Sequence, residues 1–201
     1  MRDAIKSVAH GLAIVAVTPS VISWWLRARI IGPDRALEGS TQAWGLVPGL
    51  IGQYLRRAFL CRVLPSCART ATIEFGTLFS SASASIGDRA YIGPRCHLGW
   101  ALIGNDALLA AGVHVPSGAN THGIDDLTTV IRDQPRRKVP VQIGRGSWIG
   151  SAAIVMADVG RDSVIAAGAV VTQPIPDMTI AGGVPARVLR HRDARIEARS
   201  A

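Results

Sequence analysis

The sequence predicts a mainly β protein built as a parallel β-helix, and two observations support this. First, an aliphatic residue followed by glycine recurs at six-residue intervals, as in Ile86-Gly87, Ile92-Gly93 and Leu98-Gly99. Second, similar pairs return later, for example at Ile143-Gly144 and Ile149-Gly150. A short strand and a sharp corner, repeated three times, make one triangular coil, with the aliphatic side chain inside and glycine near the bend.

The aliphatic positions also repeat from coil to coil. Ile86 recurs one coil later as Ile103, and Ile149 recurs one coil later as Ile165. This register predicts stacked aliphatic columns. A β-sandwich would instead show strict alternation with a period of two, which these spacings do not fit.

The ends of the repeat define the number of coils. Ile73 and Phe79 predict an earlier coil, and Ile180 predicts a final partial one. We therefore expect roughly five coils, stacked at the ~4.8 Å spacing of neighbouring strands into a prism about 24 Å tall.

Composition narrows the class of protein. The chain has 201 residues, enough for one main domain with an appendage, and its net charge is +8. No basic stripe interleaved with aromatic residues is present, so we do not expect a nucleic-acid partner. Three cysteines without a framework spacing predict free thiols in a reducing compartment, Cys61, Cys67 and Cys96.

The N-terminal appendage, residues 1–66, is predicted to be helical. Residues 8–26 and 47–64 are apolar, with tryptophan and arginine at their edges. His10, Pro19 and two serines make residues 8–26 a poor spanning helix, and a convincing signal-peptide cleavage site is lacking. Two interpretations stay open: amphipathic helices lie on a membrane surface, or they cover the open end of the β-helix.

The β-helix domain is expected over residues 67–184, followed by a basic tail at 185–201. The repeat is interrupted once, by the long segment 116–142. A long loop on a rigid scaffold is a candidate functional segment, and we expect the chemistry there.

Three stretches carry a family resemblance: residues 146–151 (GSWIGS), 165–172 (IAAGAVVT) and 181–187 (AGGVPAR). With the repeats, over about residues 69–190, the chain resembles the hexapeptide-repeat acyltransferases, closest to those that acetylate sugar hydroxyls. The resemblance implies a left-handed β-helix, acetyl-CoA as co-substrate, no required metal, and a homotrimer with active sites between neighbouring prisms.

His122 lies in the interrupting loop, where the resembled sugar acetyltransferases place their general base. A neutral imidazole suits removal of a hydroxyl proton near pH 7. Asp125 and Asp126 follow closely and are candidates to orient this histidine. Cys96 is a rival nucleophile, but its position two residues before Leu98 predicts a core residue instead.

The resemblance also implies residues for acyl-CoA. Trp148 matches the tryptophan beside the reacting acyl group. Positions along the pantetheine arm match Ser151, Ala167 and Thr172, and the cations that meet the nucleotide phosphates match Arg187 and Arg190. Gln173 departs from the family pattern, since relatives often have lysine there.

The resemblance is less complete for the residues that bind the acceptor, because the asparagine that sugar acetyltransferases use there has no clear equivalent. Arg95 or His97 could replace it. His97 and His114 are separated by one full coil and are predicted to stack on adjacent coils. Together with His122 they suggest an alternative, a zinc enzyme similar to γ-class carbonic anhydrases. A non-catalytic β-helix scaffold is the third possibility.

These observations predict a cytoplasmic acetyltransferase, with peripheral contact to the inner membrane if the N-terminal helices bind lipid. Its acceptor is expected to be a sugar or lipid-linked saccharide in polysaccharide biosynthesis. Transfer from the thioester to the hydroxyl is expected to be direct, without an acyl-enzyme.

Overall fold

The computed structural model describes residues 2–193. The chain begins with three helices, α1 (Arg2–Ile31), α2 (Pro33–Gly45) and α3 (Gly49–Val63). Two of these were expected. The short α2 was not, because residues 33–45 include few large apolar side chains. It begins at Pro33, which is favourable in a first helical turn.

Short strands follow the helices, with one 3₁₀ turn at Ile131–Asp133 between β9 and β10. In chain order the strands are β1 (Ser66–Cys67), β2 (Thr72–Ile73), β3 (Leu78–Phe79), β4 (Ser85–Ile86), β5 (Tyr91–Ile92), β6 (His97–Leu98), β7 (Ala101–Ile103), β8 (Leu108–Leu109), β9 (His114–Val115), β10 (Val141–Ile143), β11 (Trp148–Ile149), β12 (Ile154–Val155), β13 (Val164–Ile165), β14 (Val170–Val171), β15 (Thr179–Gly183) and β16 (Ala186–His191).

The strands form three parallel sheets, as a triangular β-helix requires. Sheet A has the order β1-β4-β7-β10 and is extended by single bridges at Val159 and Ile175. Sheet B has the order β2-β5-β8-β11-β13-β15, with β16 at its upper edge. Sheet C has the order β3-β6-β9-β12-β14. The predicted parallel β-helix is therefore confirmed, and the six parallel levels of sheets A and B exceed the five coils expected.

The core consists of stacked aliphatic columns, as the spacing predicted. Ile73, Ile92, Leu109, Ile149 and Ile165 succeed one another in the register of sheet B, and all are fully buried. One position needs correction. In the last coil Ala181, and not Ile180, pairs with Ile165 and fills the column, while Ile180 is only half-buried.

The helices cover the lower end of the β-helix. Helix α3 contacts β1 and β2, and α2 contacts β3. Arg56 fastens α3 in place, because its buried guanidinium donates to the carbonyl oxygens of Ile73 at 3.0 Å and Val47 at 2.6 Å. Helices α2 and α3 therefore lie over the first strands of the β-helix. By length and composition, one segment of the described chain, Ser7–Ile31 with a mean hydropathy of 1.4, could also cross a membrane.

The upper end is closed by part of the segment expected to be a tail. Residues 186–191 form β16, which pairs antiparallel with β15. Residues 194–201 of the predicted tail lie outside the described residues. The interrupting loop also ends earlier than predicted, at Pro140, since β10 begins at Val141.

Candidate active site

The loop that interrupts the coils leaves β9 after Val115 and returns at β10. Its organising residue is Gln134, which is buried although nearly all of its neighbours are exposed. The Gln134 side-chain amide donates to the carbonyl oxygens of Asp126 at 2.7 Å and Thr129 at 2.9 Å. Its Oε1 accepts a hydrogen bond from the Asp126 amide at 3.3 Å. The loop is therefore folded around a polar centre rather than extended over the surface.

His122 lies at the beginning of this loop and is exposed. Its Nδ1 is 3.4 Å from the Thr121 hydroxyl. Among the described residues, no hydrogen-bond partner is found for Nε2 of this exposed ring. An accessible imidazole nitrogen is what a general base needs, because it must come within hydrogen-bond distance of the proton it removes.

The structure gives Asp126 a role different from the one expected. Its Oδ1 accepts hydrogen bonds from the amide of Thr128 at 2.8 Å, from the hydroxyl of Thr128 at 2.7 Å and from the amide of Thr129 at 3.2 Å. Hydrogen bonds from Thr129 and Thr128 lower the pKa of Asp126 well below its ordinary value. Asp126 is thus a turn cap, and among the described residues neither it nor Asp125 bonds to His122.

Trp148 lies on the outer face of sheet B, and about half of its side chain is exposed. In the strand register it is followed by Val164, Ile180 and Arg190, one on each successive strand. Trp148 and Arg190 are therefore in one column, separated by about 14 Å at the usual strand spacing. The second predicted phosphate contact, Arg187, is on the same strand as Arg190.

Small residues occupy the neighbouring corner, at successive coils. The Gly168 amide donates to the Ser151 carbonyl oxygen at 2.8 Å, which sets the two corners one above the other. Ser151 and Ala167 are both exposed. Within the described part of the chain, the backbone amides of Ser151 and Ala167 donate no hydrogen bond. Thr172 follows the end of β14 and is half-buried.

The histidines of sheet C stack as predicted. The rings of His97 and His114 are nearly parallel, at 4°, with centroids 5.1 Å apart. Burial and the neighbouring imidazole of His97 lower the pKa of His114. No three metal-binding side chains come together within residues 2–193 of one chain. His97, His114 and His122 therefore do not form a zinc site within a single chain.

Arg95 and Cys96 are adjacent in sequence but differ in environment. Arg95 is at a corner with φ of 57°, and its side chain is exposed. Cys96 is buried, as predicted, and its thiol contacts the carbonyl oxygen of Ala110 at 3.2 Å. Burial raises the pKa of Cys96 to about 11. It is therefore protonated at neutral pH and unsuited to act as a nucleophile.

A wide groove along sheet A was not expected from the sequence. Its volume is about 760 Å³, and its lining includes Asn105, Gln142, Arg145 and Arg161 but neither His122 nor Trp148. Arg161 is paired with Asp177 at 2.8 Å. Each of these residues occupies an ordinary outward or corner position of a coil, so no local sequence signal distinguishes them.

Comparison with known proteins finds a family model that is similar to the repeats. The family model for the hexapeptide repeat of succinyl-transferase matches residues 83–116 and 140–173. Galactoside O-acetyltransferase of Escherichia coli is 45% identical over 58 residues, which are 28% of this chain and 29% of that protein. Galactoside O-acetyltransferase of Lactococcus lactis is 30% identical over 136 residues, covering 56% of this chain and 65% of that protein.

A solved structure shares the fold. The hexapeptide-repeat acetyltransferase of Vibrio cholerae, complexed with acetyl coenzyme A, superposes with a TM-score of 0.62 at 21% identity. The match covers 80% of this chain and 88% of that one. The first curated relatives are matched over less than a third of their own length.

Proposed function

We propose that this chain, a member of the hexapeptide-repeat family, transfers an acetyl group from acetyl-CoA to a sugar hydroxyl. The observation that carries the proposal is the column on sheet B that leads from the exposed Trp148 to Arg190. It offers an aromatic surface at one end and cations at the other, which suits a long cofactor with phosphates at its far end. Two of the relatives are named galactoside O-acetyltransferases.

The residues present fit acyl-CoA. The free amides of Ser151 and Ala167 are at a corner of small side chains, where a pantetheine arm could accept hydrogen bonds from the backbone. Thr172 would contact the same arm. Arg187 and Arg190 would meet the phosphates, and Trp148 would lie beside the acyl group.

In the proposed reaction His122 takes the proton from the acceptor hydroxyl as its oxygen attacks the thioester carbonyl carbon. The new C–O bond forms, the C–S bond breaks, and the His122 imidazolium returns its proton to the departing CoA thiolate. No acyl-enzyme is required. Arg95 or the half-buried His97 would position the acceptor sugar.

A homotrimer is part of the proposal. The loop exposes several apolar side chains, which in a single chain face solvent: Ile124, Leu127, Val130 and Ile131. Packing against a neighbouring prism would cover them and enclose the cofactor between two chains. We place the enzyme in the cytoplasm, where acyl-CoA is available and thiols stay reduced, and its product in an envelope polysaccharide.

The test is an assay of the purified protein with labelled acetyl-CoA and a panel of nucleotide sugars and lipid-linked saccharides. We expect label to move to a sugar hydroxyl as an alkali-labile ester. Transfer to amines only, or no transfer with any acceptor, would contradict the proposal. Metal analysis of the same preparation addresses the zinc alternative, which predicts one zinc per chain that is lost in His97→Ala.

A further inference from the structure

Helix α1 carries an apolar stripe on the side that faces away from the rest of the molecule. Its members are spaced by three, four or seven residues, which places them on one side of a helix. All are more than half exposed, and Ile30 reaches 82%. We call this the α1 face: Val8, Leu12, Val15, Ile22, Leu26 and Ile30.

The apolar surface continues onto α3. A groove of about 470 Å³ runs between the two helices, and its lining is apolar apart from the tyrosine hydroxyl: Ala9, Leu12, Ala13, Ala16, Leu50, Ile51, Tyr54 and Leu55. Leu50 and Ile51 are each more than 70% exposed. Soluble proteins seldom leave so large a continuous apolar patch uncovered unless it binds something.

The packing of α1 opposes an orientation across a bilayer. Ala13 and Val17 are buried in the core, and α1 contacts both α2 and α3. Those helices carry Asp34, Arg35, Arg57 and other charged residues. Inserting α1 across a bilayer would draw these charges into hydrocarbon or require all three helices to separate. A helix held against α2 and α3 can instead present its outer side to a surface.

Cations lie around this apolar surface. The Arg29 guanidinium stacks over the Trp25 ring at 3.5 Å, and Trp25 is about half exposed. At the other end of α1, burial and the charges of Arg57, Arg69 and Arg62 lower the pKa of His10. Arg57 also lies over the ring of Tyr54, which lines the groove, with its guanidinium carbon 4.7 Å from the ring centroid. Tryptophan and arginine beside an apolar face are the arrangement by which helices bind at the interface of an anionic bilayer.

We propose that the α1 face and the adjoining groove bind the surface of an anionic lipid bilayer, with the apolar side chains in the acyl boundary and the arginines at the lipid phosphates. The charge of residues 1–62 supports this, since eight basic and three acidic residues give +5. The proposal is independent of acetyl transfer, because binding requires neither acetyl-CoA nor an acceptor.

The experiment is co-sedimentation of the full chain with vesicles of phosphatidylcholine alone, or of phosphatidylcholine and phosphatidylglycerol in equal parts. We expect binding to the anionic vesicles that added salt weakens but does not abolish, since the arginine contribution is screened and the apolar one is not. Leu12→Glu should weaken it on the order of 100-fold, because it removes one buried leucine and adds a repelled charge.

Leu189→Glu is the matched control. Leu189 is 65% exposed and Leu12 is 66% exposed, but Leu189 belongs to β16 at the opposite end of the β-helix. The control should bind vesicles like the parent. Circular dichroism should show the same folded content in both variants, because both positions are on the surface.

Four results would overturn the proposal. The first is an absence of sedimentation with either vesicle. The second is equal binding of Leu12→Glu and the parent. The third is a smaller oligomer of Leu12→Glu in light scattering together with no vesicle binding by the parent, which would assign the α1 face to a second copy. Bound parent protein that alkaline carbonate cannot release would show insertion across the bilayer, and would overturn it equally.

Discussion

The ammonium group of Lys138 lies 2.6 Å from Oδ2 of Asp34, although the two residues are 104 positions apart. The other oxygen of the same carboxylate accepts a hydrogen bond from the Ala82 amide at 2.9 Å. Asp34 therefore joins the first turn of α2 to a corner of the β-helix and to the loop that carries His122. The helical segment is connected to the candidate active site as well as to the base of the fold.

Lys138→Met should release the loop without unfolding the protein. Both side chains are about 40% exposed, and an exposed ion pair contributes only about 0.2–1 kcal/mol to stability. We expect faster hydrogen exchange over residues 119–137 and a nearly unchanged melting temperature. Arg137→Met removes the same charge from an exposed neighbour and is the control. Equal exchange in the two variants would show that the ion pair does not restrain the loop.

His122→Ala should lower turnover by ~10²–10⁴ and leave CoA affinity nearly unchanged, because it removes proton transfer and little else. Turnover with the identified acceptor and calorimetric titration with CoA are the measurements. His114→Gln serves as the control, since it alters a histidine that takes no part in the proposed proton transfer. A His122→Ala enzyme with near-normal turnover would refute this mechanism.

Arg187→Ala should weaken CoA binding by ~1–3 kcal/mol, the contribution of a charge-assisted hydrogen bond. If Arg187 meets the 3′-phosphate, the variant should also discriminate less against dephospho-CoA. Arg89→Ala is a suitable control, because Arg89 is paired with Asp106 at 2.6 Å, far from β16. Unchanged CoA affinity in Arg187→Ala would show that the resemblance does not extend to this residue.

Cys96→Ala should keep transfer activity within about two-fold of the parent, since a buried thiol with a pKa of about 11 supplies no thiolate at neutral pH. Alkylation offers an independent measurement. A hydrogen bond with Cys67 lowers the pKa of Cys61, so iodoacetamide should modify Cys61 before Cys96. Rapid labelling of Cys96 accompanied by loss of activity would revive the nucleophile interpretation.

Gly144→Ala should destabilise the β-helix by about 1–3 kcal/mol, as overpacking does. A Cβ at this position would lie 2.6 Å from Cα of Arg161 in the next coil. Gly11→Ala is the contrasting variant. The Cβ of the new alanine would have nothing within 4 Å, so the substitution should stabilise α1 by about 0.5–1 kcal/mol. Thermal or chemical denaturation measures both. If both variants changed the free energy of unfolding in the same direction, the close spacing of the coils at Gly144 would not be what limits side-chain size there.

The coil positions could be predicted from the sequence because the repeat is local. Ile86, Ile103 and Ile149 each occupy the inward position that the spacing gave them, since one period specifies both the strand and its corner. For the last coil the sequence predicts Ile180 at the inward position, whereas Ala181 occupies it. The register could not be checked there, because no further coil follows. The strand β16 was missed for a related reason: it pairs antiparallel, so the six-residue period stops before it.

The loop could be identified from the sequence as a functional candidate, but its conformation could not be predicted. The buried position of Gln134 depends on hydrogen bonds to Asp126 and Thr129, which no periodicity encodes. Asp126 accepts hydrogen bonds from the nearby threonines and not from His122. The sequence does not show which of these neighbouring donors the carboxylate would bind. Lys138 and Asp34 meet only because the coils bring distant segments together.

The two ends of the stack are closed by different means. Helices α2 and α3 cover the first strands, and the antiparallel β16 lies along the last strand of sheet B. A parallel β-helix with bare ends would offer its strand edges to another copy and could lengthen into a fibre. Here helices cover the lower strands and β16 occupies the upper edge of sheet B, so fewer strand edges are left for end-to-end polymerisation, which favours association of copies side by side.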